Sequence, residues 1–251
     1  MNFDDESKTL KLRRLNRNAV VNSLGAIVFL LASLSAAGQI PKCNVGKDAP
    51  AFGFWNWAAG TTVKVYVLEG DFDEGDLRYV LKPLQNWNAA IAATGPRVKF
   101  EYAGSTATPL YCENCLTIMR GAVFHKATRH ATELNAYSAR GDQVLTWAQI
   151  RVDHTLTNPG AISNAVAHEL GHSLGLLDCY NCKAKSTVMN QFKRFNEPNE
   201  MESPTACDIV QVNAAYRELA VGIRPSPVKV GLADEGEEPV DDDTPIVVRR
   251  P

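Results

Sequence analysis

The stretch His168-Glu169-Leu170-Gly171-His172-Ser173-Leu174-Gly175-Leu176-Leu177-Asp178 decides how the rest of this chain is interpreted. Residues four apart on an α-helix lie on the same face, so His168 and His172 can direct ring nitrogens toward one point. In an HExxH helix the histidines bind zinc, and the glutamate, here Glu169, is the general base for a water that the metal acidifies. The stretch therefore predicts a zinc site.

The residues that follow His172 extend this pattern. Gly175 permits a positive φ that a side chain resists, so the helix can end there and the chain can turn back toward the metal. Asp178 then arrives as the third ligand. No histidine follows His172, so a histidine in that role could come only from upstream. The upstream candidates are His125, His130 and His154.

The pattern HExxHxxGxxD resembles the zinc signature of the metzincin metallopeptidases, in the variant with aspartate third that is found in snapalysin-like bacterial proteases. Commoner members place histidine there, and an anionic oxygen should make the zinc a weaker Lewis acid. Downstream, Ser186-Thr187-Val188-Met189-Asn190 resembles the Met-turn of this group, a tight turn whose methionine, here Met189, lies beneath the zinc ligands. The resemblance implies an α+β fold: a twisted, mostly parallel five-stranded sheet with an active-site helix and a C-terminal helix.

The pattern of apolar residues agrees with that fold over about residues 55–220. Alternation with β-branched residues predicts a strand at 62–68, and helical spacing predicts a helix at 74–93 despite Pro83 within it. Further strands are predicted at 98–102, 116–120, 134–139 and 144–152, and a closing helix at 205–216. By analogy, a substrate would lie extended along the edge strand at 134–139. Phe192 and Phe195, which follow the Met-turn, are candidates for lining the substrate pocket.

The first 38 residues have the features of a signal peptide: a basic start, an apolar run from Ala19 to about Leu34, and small residues that close it. A retained membrane anchor is the alternative, since the run approaches the roughly 20 residues that span a bilayer. The small-residue end favours cleavage. We expect a signal peptide at 1–38, an N-terminal segment at 39–60, a zinc metallopeptidase domain at 61–222 and an acidic disordered tail at 223–251. The mature chain would be secreted or periplasmic, with no further membrane contact.

Composition and net charge narrow the possible functions only slightly. The chain has 251 residues, 45% of them hydrophobic, and a net charge of -2, which is typical of a soluble globular protein. This near-neutral charge gives no argument for nucleic acid as a partner. The acidic tail lacks EF-hand spacing, so a calcium role stays undecided, and nothing indicates the oligomeric state.

Six cysteines in an exported protein predict disulfides. Two pairs have CxxC spacing, Cys112 with Cys115 and Cys179 with Cys182, and together they could instead form a four-thiolate zinc site. The segment around Cys43 resembles in part the cysteine switch of matrixins, in which a propeptide thiolate occupies the fourth zinc position. Because Cys207 is the only cysteine outside the CxxC pairs, parity favours a Cys43–Cys207 disulfide.

The resemblance implies a zinc-dependent endopeptidase with protein or peptide substrates, in which His168, His172 and Asp178 hold zinc and Glu169 moves protons. One alternative is a gluzincin-type peptidase, whose third ligand is a downstream glutamate. The candidates for that ligand are Glu197, Glu200 and Glu202. Another alternative is a zinc-containing binding or adhesion module that has lost its protease chemistry, against which the intact Glu169 argues.

Overall fold

The structure is a computed structural model that describes residues 43–53, 55–92, 95–122, 132–137, 144–190, 201–220 and 247–248. Its helices are α1 (Val45–Asp48), α2 (Glu74–Ile91), α3 (Pro159–Ser173) and α4 (Ala206–Ala220). Its strands are β1 (Thr62–Leu68), β2 (Lys99–Thr106), β3 (Cys115–Gly121), β4 (Thr132–Tyr137), β5 (Trp147–Asp153) and β6 (Val247–Val248).

The strands form one mixed sheet in the order β2-β1-β3-β5-β4-β6. The pairs β1/β2, β1/β3 and β3/β5 are parallel, and β4 runs antiparallel to β5. The two residues of β6 pair in parallel with Asn135 and Ala136 at the outer edge of β4. The first five strands are thus the mostly parallel five-stranded sheet that was predicted, and the α+β fold class is confirmed.

Helix α2 covers the sheet and supports α3. Its N-cap, Asp73, accepts a hydrogen bond from the backbone N–H of Asp76 at 2.6 Å, as capping residues do. One face of α2 is buried and includes Trp87, whose indole N–H donates to the carbonyl of Ala167 in α3 at 2.9 Å. The helix continues through Pro83, which lies on this buried face. This hydrogen bond joins α2 directly to the helix that carries the histidines.

Helix α3 lies inside the molecule. Asn158 caps it by accepting a hydrogen bond from the N–H of Ala161 at 3.1 Å, and Pro159 occupies its first turn, where its missing N–H costs nothing. Every residue from Ala161 to Ser173 is buried. A helix buried on all sides has no polar face, so its sequence carries little amphipathic periodicity. The zinc motif, and not the hydrophobic pattern, predicted this helix.

The other predicted elements occur close to their expected places. Strand β1 occupies 62–68 as predicted, α2 ends two residues early at Ile91, and β2 continues four residues further, to Thr106. The four-residue helix α1 was not predicted. Among the described residues, none of the helices is long and apolar enough to span a bilayer. The predicted signal peptide, and the tail except Val247–Val248, lie outside the described residues.

All six cysteines are paired. The disulfides join Cys43 to Cys207, Cys112 to Cys115 and Cys179 to Cys182, with Cα–Cα distances of 5.0, 5.4 and 5.5 Å. The four-thiolate zinc site, the alternative for the two CxxC pairs, is therefore excluded. The predicted pairing of Cys43 with Cys207 also leaves no thiol at position 43 to act as a cysteine switch.

Candidate metal centre

The end of α3 brings the third candidate ligand to the first two. The helix ends at Ser173, and Gly175 then has a φ of +93°, a conformation that is strained for a residue with a side chain. The N–H of Gly175 donates to the carbonyl of His172 at 2.9 Å, and that of Leu176 donates to Gly171 at 3.1 Å. These bonds satisfy carbonyls that the helix end leaves open, and the chain reverses toward the histidines.

Two ring nitrogens and one carboxylate oxygen converge at this reversal. The Nε2 atoms of His168 and His172 are 3.1 Å apart. The Oδ1 atom of Asp178 lies 2.9 Å from Nε2 of His168 and 3.4 Å from Nε2 of His172. Three ligand atoms of a tetrahedral zinc ion lie about 3.3 Å from one another, given bonds of about 2.0–2.1 Å. The triangle therefore has the dimensions of a three-ligand zinc site.

The hydrogen bonds of the rings decide which nitrogen faces inward with a lone pair. Nδ1 of His168 lies 3.0 Å from the carbonyl oxygen of Val188, and Nδ1 of His172 lies 2.8 Å from that of Leu176. A carbonyl oxygen only accepts, so in the neutral rings the proton is assigned to Nδ1. Both Nε2 lone pairs then point at each other and at the oxygen of Asp178. Such a cluster is repulsive in a buried place unless a cation joins it, either a proton on one ring or a metal ion of the zinc type.

The charges around the rings also favour a cation. Burial lowers the pKa of His172, but the carboxylates of Asp178 and Glu169 raise it by more, to about 9. For Asp178, burial raises the pKa, but the imidazole groups of His172 and His168 hold it well below its ordinary value. Asp178 is therefore ionised at neutral pH, and its negative charge stabilises positive charge at the two Nε2 atoms.

Glu169 lies beside this triangle and is fully buried. One of its carboxylate oxygens lies within 4.8 Å of a ring nitrogen of each histidine, so Glu169 could itself join His168 and His172 in holding a metal ion. The oxygen of Asp178, at 2.9 and 3.4 Å from the two Nε2 atoms, also has the position of a ligand. With Asp178 as the ligand, the carboxylate of Glu169 is placed to reach a small molecule bound between the histidines.

Met189 packs against the same helix from below. It is fully buried, and a Cβ built on Gly171 would collide with its Sδ atom and crowd the ring of Trp87 at 3.3 Å. Gly171 lies between the two histidines on α3. A residue without a side chain is therefore required at this position for the turn that carries Met189 to approach the helix.

Other candidates from the sequence lie elsewhere or outside the described residues. His154 is exposed in the turn after β5, whereas His168 and His172 are buried. Glu202 accepts hydrogen bonds from Nζ of Lys82 at 2.6 Å and from the hydroxyl of Ser163 at 3.1 Å. Glu202 thus contacts Lys82 and Ser163 and not the two histidines. The candidates outside the described residues are His125, His130, Phe192, Phe195, Glu197 and Glu200.

The sequence analysis missed a buried carboxylate below the Met-turn. Asp208 is fully buried and accepts hydrogen bonds from the hydroxyl of Thr187 and from the N–H of Val188, the latter at 3.1 Å. Burial raises its pKa, and these hydrogen bonds oppose that effect. The sequence could have drawn attention to Asp208, because Thr205 and Asp208 have the spacing of a capping box at the start of α4.

The sequence analysis also missed the support of the segment that carries Asp178. The N–H of Gly53 donates to the carbonyl of Gly175 at 2.7 Å, and the N–H of Leu177 donates to Ala51 at 3.0 Å. Residues 51–53 thus run antiparallel to residues 175–177, next to the third candidate ligand. On its other side, the N–H of Cys179 donates to the carbonyl of Met189 at 2.8 Å. Asp178 is held between two backbone contacts.

Comparison with known proteins gives structural matches only. The chain matches no protein-family model, and no curated protein is significantly similar to it. It is similar to a solved structure of myroilysin, with a TM-score of 0.29 and 19% identity, over 49% of this chain and 44% of that one. It is also similar to high choriolytic enzyme 1, a hatching-enzyme zinc protease from the medaka fish Oryzias latipes, with a TM-score of 0.36 and 12% identity, over 71% of this chain and 99% of that one. The chain thus spans less than half of the length of myroilysin, and both scores are low, so the function proposed below rests on the residues of this chain.

Proposed function

We propose that this protein is an exported zinc-dependent endopeptidase of the metzincin type that acts on protein or peptide substrates. The observation that carries the proposal is the triangle of His168, His172 and Asp178, in which two ring nitrogens and a carboxylate oxygen lie within 3.4 Å of one another. A second buried carboxylate, that of Glu169, lies beside it. Ligands and base are the components that metal-dependent hydrolysis of a peptide bond requires.

In this proposal His168, His172 and Asp178 hold one zinc ion. When bound, zinc supplies Lewis-acid chemistry, which acidifies water and offsets the negative charge that develops on a carbonyl oxygen under attack. The Nδ1–H bonds to Val188 and Leu176 keep both imidazoles oriented with Nε2 inward, which is the usual task of the second hydrogen bond of a metal-binding histidine.

Glu169 is the general base and acid. Its carboxylate takes a proton from the attacking water and later donates a proton to the leaving amine, which avoids expelling an unstable amide anion. Burial keeps bulk water away from the carboxylate, so that the transferred proton is not lost to solvent between the two steps. A role as base suits the place of its carboxylate beside the two ring nitrogens, from which it can reach a water molecule held between them.

The substrate is proposed to bind along β4. An extended peptide can add to an exposed strand through backbone hydrogen bonds, which recognise a polypeptide without selecting its sequence. Strand β4 has β5 on one side and only the two residues of β6 on the other in the described part of the chain. A substrate at this edge would compete with Val247–Val248.

Export is supported by two features. The predicted signal peptide directs the chain out of the cytoplasm, and three disulfides are typical of an oxidising compartment.

The test is removal and return of the metal on the mature chain. We expect about one zinc per chain by elemental analysis. Hydrolysis of a casein-type substrate should be lost in a chelator and restored by zinc. Bound zinc without hydrolysis of any protein or peptide substrate would favour the binding or adhesion module instead. A chain that binds no zinc would refute the proposal.

A further inference from the structure

We infer that Asp208 is a positioning residue for the metal site, acting on His168 through the turn that carries Met189. The inference rests on the proposed function, because it concerns how firmly the chain holds zinc. It assigns a role to a buried carboxylate that is neither a candidate ligand nor the candidate base.

The contacts of Asp208 show that the turn is attached to it. Its Oδ1 accepts from the hydroxyl of Thr187, and its Oδ2 accepts from the N–H of Val188 at 3.1 Å. The same hydroxyl of Thr187 accepts from the N–H of Met189 at 3.0 Å. Asp208 and Thr187 are fully buried, and Val188 is 1% exposed, so water cannot replace these bonds. One carboxylate therefore orders three consecutive residues of the turn.

Val188 connects this network to the metal site. Its N–H donates to Asp208, and its carbonyl oxygen accepts from Nδ1 of His168 at 3.0 Å. The position of that carbonyl sets both the tautomer and the orientation of the His168 ring. Loss of such outer partners typically weakens metal binding by about 10- to 100-fold.

Asp208 has a second role, and the experiment must separate the two. Its Oδ2 also accepts from the N–H of Thr205 at 2.7 Å and from the hydroxyl of Thr205 at 2.9 Å, which caps α4. A purely structural carboxylate would stabilise α4 and leave zinc affinity alone. Thr205→Ala is the matched control. It removes the hydroxyl from the cap, together with the bond from that hydroxyl to the carbonyl of Ser186 at 2.7 Å, but it leaves the bonds from Thr187 and Val188 to Asp208 and hence the link to His168.

The experiment uses the full disulfide-bonded chain and compares wild type, Asp208→Asn and Thr205→Ala. An asparagine amide presents a donor where the carboxylate accepted, so it cannot accept from Thr187 and Val188 together. Zinc affinity is measured by competition with a chromophoric chelator, and the visible spectrum of the cobalt-substituted protein reports ligand geometry. Thermal unfolding of the metal-free protein measures stability.

We expect Asp208→Asn to lower zinc affinity about 10- to 100-fold and to alter the cobalt spectrum. Thr205→Ala should lower the unfolding temperature but keep the wild-type affinity and spectrum. Wild-type affinity in Asp208→Asn, or equal losses in both variants, would overturn the inference. If Asp208→Asn does not fold, Thr187→Val, which removes one bond to Asp208 and the acceptor of the Met189 N–H but keeps the shape of the side chain, should shift affinity in the same direction. If the wild-type chain itself binds no zinc, the proposed function is refuted. This result differs from a failure of the inference about Asp208, in which the wild type binds zinc and the variants do not behave as expected.

Discussion

Two regions of this protein are built in different ways. In the sheet region, residues 62–153, side chains such as Val63, Val65 and Ile150 are buried against one another, and parallel strands satisfy the backbone. In the turn region, residues 174–190 and 201–208, the described chain has no helix or named strand before α4. Individual hydrogen bonds, a positive-φ glycine and disulfides hold the chain there.

This difference separates stability from chemistry. Burial of apolar area is not directional, so the sheet region should tolerate small changes of side-chain shape at a moderate cost in stability. Hydrogen bonds and metal ligands depend on direction and distance, so small changes near the turn region should alter the site while the fold persists. The following substitutions test this difference.

The largest effect is expected at Glu169, the buried residue proposed as general base. Glu169→Ala should lower hydrolysis by a factor of about 100 to 10,000, the usual contribution of a positioned proton-transfer group. Zinc should remain at one per chain, because in the proposed mechanism Glu169 moves protons and does not bind the metal. Steady-state kinetics together with elemental analysis check both parts. A variant that keeps more than half of the wild-type activity would contradict the proposed mechanism.

The third candidate ligand should have the next largest effect. Asp178→Ala should weaken zinc binding by more than about 100-fold, since loss of an outer partner alone costs about 10- to 100-fold. Glu202→Ala is the control, because Glu202 contacts Lys82 and Ser163 instead of the histidines. Chelator competition measures both variants. If Asp178→Ala keeps zinc and Glu202→Ala loses it, Asp178 is not the third ligand and Glu202 is the better candidate.

The disulfide at the start of α4 should affect stability more than chemistry. Replacing both Cys43 and Cys207 by alanine should lower the free energy of unfolding by about 2–4 kcal/mol, as loss of such a cross-link usually does. Activity should not rise, because Cys43 is paired with Cys207 and does not block the metal. Denaturant unfolding and the activity of freshly secreted protein check the two statements. A rise in activity, or an alkylatable Cys43 in the zinc-bound protein, would instead favour the cysteine switch.

A core substitution in the sheet region should have the smallest effect. Ile150→Val should cost about 0.5–1.5 kcal/mol of stability, since it removes one fully buried methylene. Zinc affinity should equal that of the wild type. Denaturant unfolding and chelator competition make the comparison with Asp178→Ala direct. A large loss of zinc affinity here would mean that the two regions are not separable as described.

The same difference explains which features the sequence could predict. Both ends of strand β1 were predicted correctly, because the apolar residues Val63, Val65 and Val67 alternate along the sequence and are the ones that the strand buries. Helix α3 was found through its motif, and the positive φ of Gly175 followed from the lack of a side chain. Local patterns of this kind are present in the sequence before any folding.

The remaining features depend on contacts between distant residues. The backbone pairing of residues 51–53 with residues 175–177 involves no particular side chains, so no residue type indicates it. Asp208 could be recognised as a helix cap, but its donors Thr187 and Val188 lie 21 and 20 residues earlier in the chain. The signal peptide, the acidic tail and the pocket role of Phe192 and Phe195 stay predictions.

The Cys43–Cys207 bond can form only late in synthesis. The two cysteines are 164 residues apart, so Cys43 leaves the ribosome long before its partner. A nascent chain that ends before α4 already contains His168, His172 and Asp178, but it lacks the carboxylate of Asp208 that accepts from the N–H of Val188. With the role inferred for Asp208, the zinc-binding geometry would be complete only once α4 has been made, and an interrupted chain would carry the histidines in a site that binds zinc weakly.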